Sequence, residues 1–191
     1  GASLLVDGQL ELPGSNYIGH VCHVSVSANG SRCSCGKYGC INTLISTEAV
    51  QKIVQRALRR GVETGLTQRL LNHEYFSPQL LVEEAERGDS VALQVYSEIG
   101  RWLGMAIDKY ISFCEPDGVI LGGDAFYTSQ RLLLQVRDAL EGQASSHYYK
   151  KKPPIQFAQL GNDAVLAGTV ISHFGPPALV GEVIEHTYEI S

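Results

Sequence analysis

The sequence predicts an α/β protein, a mixed sheet carrying helices on its faces. Three observations predict it. Asp7-Gly8 sits between two short strand-like runs, the preferred two-residue turn of a β-hairpin. From residue 88 onward the periodicity reads helix, strand, helix, strand, helix. Between the first two of those helices, Val119-Ile120-Leu121 is a short continuous apolar run closed by Gly122-Gly123, the pattern of a buried strand.

Composition sets the outer limits. The 191 residues are 44% hydrophobic and 18% charged, enough for a real core and unlike a disordered chain. A net charge of −5 with 15 Lys and Arg argues against a chain that grips a phosphate backbone by itself. The one basic run, Lys150-Lys151-Lys152 before Pro153-Pro154, reads as a solvated turn. No stretch approaches the ~18 apolar residues of a membrane span, so no membrane insertion is expected. The five cysteines are too few, and odd in number, for a disulfide scaffold, which predicts a cytoplasmic setting.

Taken in order, residues 3–6 and 9–12 form the predicted hairpin. Val21, His23, Ser25 and Ser27 alternate with Cys22, Val24 and Val26 and predict a third strand. A chain that opens on a strand, with no charged segment ahead of an apolar run, is expected to begin inside a larger architecture rather than with a signal peptide. Ser46 is placed to cap a helix running to about Arg60 and ended by Gly61. Residues 64–87 read as short helical pieces around a loop at 72–78. A long helix is predicted over about 91–114, with Val91, Val95, Ile99, Leu103, Ala106, Ile107, Tyr110 and Ile111 on one face and Trp102 and Met105 at its core or flank. Cys114, at its end, reads as core. Pro116 stops that helix, and a further helix (128–141), a strand (155–159) and a last helix (163 to about 174, capped by Asn162 or Asp163) follow. The tail, 176–191, is less regular; Val180, Val183, Ile184 and Tyr188 predict that it packs on something. His73, His147, His173 and His186 have no partners at ligand spacing.

The sharpest chemical signal is Cys33-Ser34-Cys35-Gly36-Lys37-Tyr38-Gly39-Cys40. Three thiols within eight residues, with two glycines to let the loop curl, can converge on one cation. A histidine from a neighbouring strand would complete a Cys3His zinc site, which with four protein ligands is structural rather than catalytic. No Cys-x-x-Cys pair is present to suggest a redox dithiol. His20, Cys22 and His23 all compete for the fourth place on sequence alone. In a strand, His20 and Cys22 would face away from His23.

The run from Gly19-His20-Val21-Cys22-His23 to Cys40-Ile41-Asn42 resembles the signature of the ROK family (repressors, open reading frames and sugar kinases): Gly-Glu-x-Gly-His and, ten residues on, Cys-x-Cys-Gly-x-x-Gly-Cys-x-Glu. Further segments fall in the family's order: Asp7-Gly8, Gly88-Asp89 with Ala92, Leu103-Gly104, Val119 to Gly123, and Leu160-Gly161-Asn162-Asp163-Ala164 with Gly168. The resemblance covers about residues 1–175 and implies the second, C-terminal lobe of an actin-like, ribonuclease-H-like bilobal fold, with an inserted zinc-binding loop at 20–42. The tail would then pack on this lobe or on an N-terminal lobe. Counting back ten from Cys33, the resemblance implies His23, Cys33, Cys35 and Cys40 as structural zinc ligands. It further implies sugar contacts at His20, His23 and Asn42. Gly122 and Gly123 match the glycines on which an adenine ring lies in the family's kinases.

The departures bear on function. The family's two glutamates are His20 and Asn42 here, and Cys22 replaces a glycine. A polyol loses two charged acceptors, and hydrogen bonds to charged groups are the stronger ones. Some acylaminosugar kinases of the family also carry histidine at the first of these positions. The expected function is the sugar-sensing effector lobe of a ROK-type transcriptional regulator. That reading expects a homodimer, a sugar or sugar-derivative effector, and DNA contact only through a helix-turn-helix outside these residues. One alternative is the C-terminal lobe of an ATP-dependent sugar kinase acting on a hexose or N-acylhexosamine, whose catalytic aspartate would lie in the other lobe, so no catalytic residue is expected here. A second is a non-catalytic, zinc-stabilised assembly domain.

Overall fold

A computed structural model of the chain describes residues 4–7, 9–10, 20–72, 74–123, 129–142 and 152–160. The hairpin forms as expected. β1 (Leu5–Val6) pairs antiparallel with β2 (Gln9–Leu10), Val6 opposite Gln9. Asp7 takes a φ of +50°, the left-handed geometry that such a turn requires.

The expected third strand over 21–27 is not there. His20–His23 is a 3-10 turn, and the extended segment after it makes only an isolated bridge, Ser25 to Cys40. Its partner is too short for a ladder. Gly39 has a φ of +64°, and Ile41 already caps α1 (Asn42–Ile45). The alternation that separated His20 from His23 therefore does not apply.

Helices then dominate. α2 (Thr47–Arg59) starts at Ser46, whose hydroxyl accepts from Ala49 N, and buries Ala49, Val50, Ile53, Val54 and Ala57. α3 (Gly65–Leu71) is held by a Thr64/Thr67 capping box, and α4 (Pro78–Glu86) by Ser77 with proline in its first turn. α5 (Ser90–Cys114) is the spine. Its buried face includes Val91, Val95, Ile99, Ala106, Ile107 and Ile111, while Trp102, Leu103, Met105 and Tyr110 are half-buried. The stripe ends there. Ser112, Phe113 and Cys114 are exposed, so Cys114 is a surface thiol and not a core residue. Glu115 then leaves the helix in the left-handed region (φ +44°), ahead of Pro116.

β3 (Val119–Leu121) lies parallel to β4 (Ile155–Phe157) with Val119 opposite Ile155. α6 (Gln130–Glu141), capped by Ser129, packs along α5. Gly100 and Gly104 make that closeness possible. A methyl at Gly100 would lie 2.3 Å from Gln135 Cβ, and one at Gly104 2.7 Å from Ala139 Cβ. The core joins α2, α3, α4, α5, α6 and β4, with Tyr96, Leu66, Leu81, Ile99 and Leu132 fully buried. Among the described residues the antiparallel and parallel pairs are separate two-stranded sheets. The last predicted helix with Asn162 and Asp163, the tail 176–191, and His73, His147, His173 and His186 lie outside the described residues.

A polar knot ties α3, α4 and α5 together. Asp89 accepts from Val91 N and Ala92 N at 2.9 and 3.0 Å, capping α5, and from Leu66 N of α3 at 2.9 Å. Beside it the buried Glu84 takes hydrogen bonds from Arg69 and Arg87. Arg69 also bonds Glu83 and Glu74, and it holds the Glu83 carboxyl below the usual carboxylate range.

Candidate metal centre

Two backbone crossings build the loop. Val26 N donates to Gly39 O and Ile41 N to Val24 O, both at 2.9 Å, which lays the segment after His23 beside Cys40. Gly39 N donates to Ser31 O at 3.0 Å and Cys33 N to Lys37 O at 2.7 Å, folding the Cys33–Cys35 knuckle back onto the Lys37–Gly39 segment. Glycine is required at the crossing. At Gly39 a Cβ would lie 1.7 Å from Ser27 O, on a backbone of positive φ; at Gly30 it would lie 2.4 Å from Gly39 Cα. Gly30 did not figure among the expected site residues. The Asn29-Gly30 pair, a strong turn signal, is the sequence feature that announces it.

These crossings bring His23, Cys33, Cys35 and Cys40 together, with one potential ligand atom from each, all within 4.8 Å of one another. His23 Nδ1 is 3.4 Å from Cys33 Sγ, and Cys35 Sγ is 3.5 Å from Cys40 Sγ. In a zinc tetrahedron with Zn–S about 2.3 Å and Zn–N about 2.05 Å, the edges are about 3.5 Å for N–S and about 3.8 Å for S–S. The His23–Cys33 and Cys35–Cys40 pairs therefore already stand at nearly the separations one tetrahedral cation needs, and three sulfurs with an imidazole are a donor set suited to zinc. Cys33 and Cys40 are buried, His23 is half-buried and Cys35 is exposed.

The electrostatics of the cluster favour a cation among its sulfurs. A hydrogen bond from the Cys35 backbone lowers the Cys33 thiol to about 6, against an opposing effect of burial. Burial, then the neighbouring sulfurs of Cys35 and Cys33, push the Cys40 thiol up to about 12. Sulfurs this close resist ionising together, and a divalent ion at the centre removes that cost.

The other expected site residues are placed as follows. Asn42 is the half-buried first residue of α1, two positions after Cys40. His20 opens the 3-10 turn, and its side chain lies outside those described. Cys22 is half-buried and outside the four-residue cluster. Gly122 and Gly123 follow β3, on a different element from the cluster. A Cβ at Gly122 would meet Ala158 at an ordinary 3.7 Å, whereas the φ of +146° at Gly123 is one that a side chain rarely tolerates.

A model of the ROK family matches residues 1–172, and the chain belongs to that family. Among its relatives is the DNA-binding transcriptional dual regulator NagC of Escherichia coli, 23% identical over 189 residues, which cover 99% of this chain and 45% of NagC. A glucokinase of Halalkalibacterium halodurans is 25% identical over 169 residues, 88% of this chain and 51% of the enzyme. A crystal structure of a ROK family transcriptional regulator, homologous to the Escherichia coli MLC protein, superposes with a TM-score of 0.73 at 24% identity, over 97% of this chain and 45% of that one. The fold is therefore that of the family's regulators and kinases, and this chain spans about half the length of each relative named here. No helix among the described residues is long and apolar enough to cross a membrane.

Proposed function

We propose that residues 1–175 are the effector-sensing C-terminal lobe of a ROK-type transcriptional regulator, and that His23, Cys33, Cys35 and Cys40 hold one structural zinc ion that shapes the sugar-facing loop. The observation that carries the regulator reading is the number of regulators among the relatives. A xylose repressor, NagC and Mlc align over 89%, 99% and 90% of the chain, beside a glucokinase over 88%. His20 and Asn42 in place of the family's glutamates support it too. They keep donors and acceptors for a polyol without the charge of the family's glutamates, which suits binding a sugar more than activating it. In this reading a sugar or sugar derivative binds near His20, His23 and Asn42. The zinc fixes Cys40, and through it the start of α1. DNA is read by a helix-turn-helix elsewhere in the longer protein, which acts as a homodimer.

The second reading is a sugar kinase lobe, favoured by Gly122-Gly123 after β3, since a residue without a side chain permits a flat ring to approach the backbone. A coupled assay separates the two when run on the longer protein of which this would be one lobe, because the lobe alone lacks the kinase base in either reading. With ATP and hexoses or N-acylhexosamines, that protein is expected to give no phosphorylated sugar, since transfer needs a positioned base and two phosphate-binding loops. Zinc-dependent sugar binding in calorimetry without turnover supports the regulator. Clear turnover overturns it, as would an upstream coding sequence that carries an aspartate-bearing kinase lobe and no helix-turn-helix.

A further inference from the structure

The four ligand side chains are unequal in a way that bears on how the ion is kept. Cys33 and Cys40 are 5% and 0% exposed, whereas Cys35 sits on an open tip, Ser34 to Tyr38, all of it exposed. Cys35 Sγ lies 3.5 Å from Cys40 Sγ. Cys33 Sγ lies 3.4 Å from His23 Nδ1 and 3.9 Å from Ser34 Oγ, is within 4.8 Å of the other two sulfurs, and is separated from Cys35 by one residue alone. A disulfide of about 2.05 Å between Cys35 and Cys40 needs an approach of about 1.5 Å. The tip can supply it, because Gly36 (φ +91°) has nothing within 4 Å of where a side chain would start.

Resting on the metal reading above, we propose that this centre is also a peroxide-responsive switch in which Cys35 and Cys40 close a disulfide and expel the ion. The Cys35 sulfur attacks one oxygen of hydrogen peroxide; the O–O bond breaks, leaving a sulfenic acid on Cys35 and hydroxide, which takes up a proton to become water. The Cys40 sulfur then attacks the Cys35 sulfur. The S–S bond forms, the S–O bond breaks, and the departing hydroxide is protonated to a second water. Two thiols lose two electrons and one peroxide gains them. The ion is left with His23 and Cys33, too few ligands for a closed tetrahedral site. Release has a route into the fold, since Cys40 adjoins Ile41, the buried cap residue of α1, and its carbonyl holds the Thr43 hydroxyl at 2.8 Å.

The test uses the zinc-loaded chain carrying Cys22→Ser and Cys114→Ser, which removes the two cysteines outside the cluster. Hydrogen peroxide is added; zinc release is followed with a chromogenic indicator, and the remaining thiols are alkylated and mapped by mass spectrometry. The expected result is one zinc released for each Cys35–Cys40 disulfide, with Cys33 alkylated, and recovery on adding dithiothreitol and zinc. Retained zinc, a disulfide through Cys33, or Cys35 oxidised to sulfinic acid without a disulfide each overturns the switch while leaving the metal site standing. If the purified chain holds no zinc, the metal reading fails separately. The metal-free chain is then oxidised in the same way, and absence of the Cys35–Cys40 pair overturns the disulfide.

Discussion

Cys40→Ala is expected to abolish stoichiometric zinc binding and to lower the melting temperature by on the order of 10 °C. Cys40 is the most buried of the four side chains at 0% exposed, and its sulfur stands 3.5 Å from both Cys35 Sγ and the His23 carbonyl oxygen. It is also the residue through which the loop enters the helical core, next to Ile41. Structural zinc contributes roughly 10–16 kcal/mol in domains that cannot fold without it. Here the packing of α2, α4, α5 and α6 does not pass through the loop. The loss should therefore surface as several kcal/mol, and each kcal/mol is worth about 2–4 °C in a chain of this size. Cys40→Ser, which fills the same space but is a poor zinc ligand, should lose the metal equally and melt slightly higher. Unchanged zinc content and unchanged melting in Cys40→Ala would count decisively against the ligand assignment.

Asp89→Ala is expected to destabilise the fold by about 3–5 kcal/mol while leaving zinc content intact. One carboxylate closes two helices: it accepts from Val91 N and Ala92 N at the start of α5 and from Leu66 N in the first turn of α3. The residue is 8% exposed, so water cannot easily replace it. An unsatisfied buried donor costs about 1–3 kcal/mol and a lost helix cap about 1 kcal/mol. Asp89→Asn keeps one acceptor oxygen and should cost about a third as much. Thermal melting with parallel metal analysis checks both points. A melt within about 2 °C of the parent would show that the junction of α3, α4 and α5 is held by packing alone.

The contrast between these two residues tracks what the sequence made legible. Cys40 stands in a spacing whose chemistry can be read directly, because three thiols in eight residues have few other uses. Asp89 is visible in the sequence only within the Gly88-Asp89 segment that falls in the family's order. Its bond to Leu66 N joins residues 23 positions apart, which no local pattern encodes. The long helix was legible because its apolar period persists through Ile111, and the hairpin because Asp-Gly dictates its turn. The strand expected over 21–27 failed because alternation describes side chains, whereas a strand also needs a partner, and the partner turns away at Gly39 and Ile41. Cys114 was misjudged because the helical period continues past the point where neighbouring elements stop covering it. α1, four residues long, is shorter than any period can reveal. Gly30 is needed for a contact with Gly39 nine residues on, and only the turn it closes showed in the sequence.

Zinc K-edge X-ray absorption on the purified chain, with elemental analysis of the same sample, tests the metal centre most directly. The expected result is about one zinc per chain, with a first shell of three sulfurs at about 2.3 Å and one nitrogen at about 2.0–2.1 Å. A folded chain purified without chelators that holds no zinc, or a zinc shell of nitrogen and oxygen alone, would contradict it.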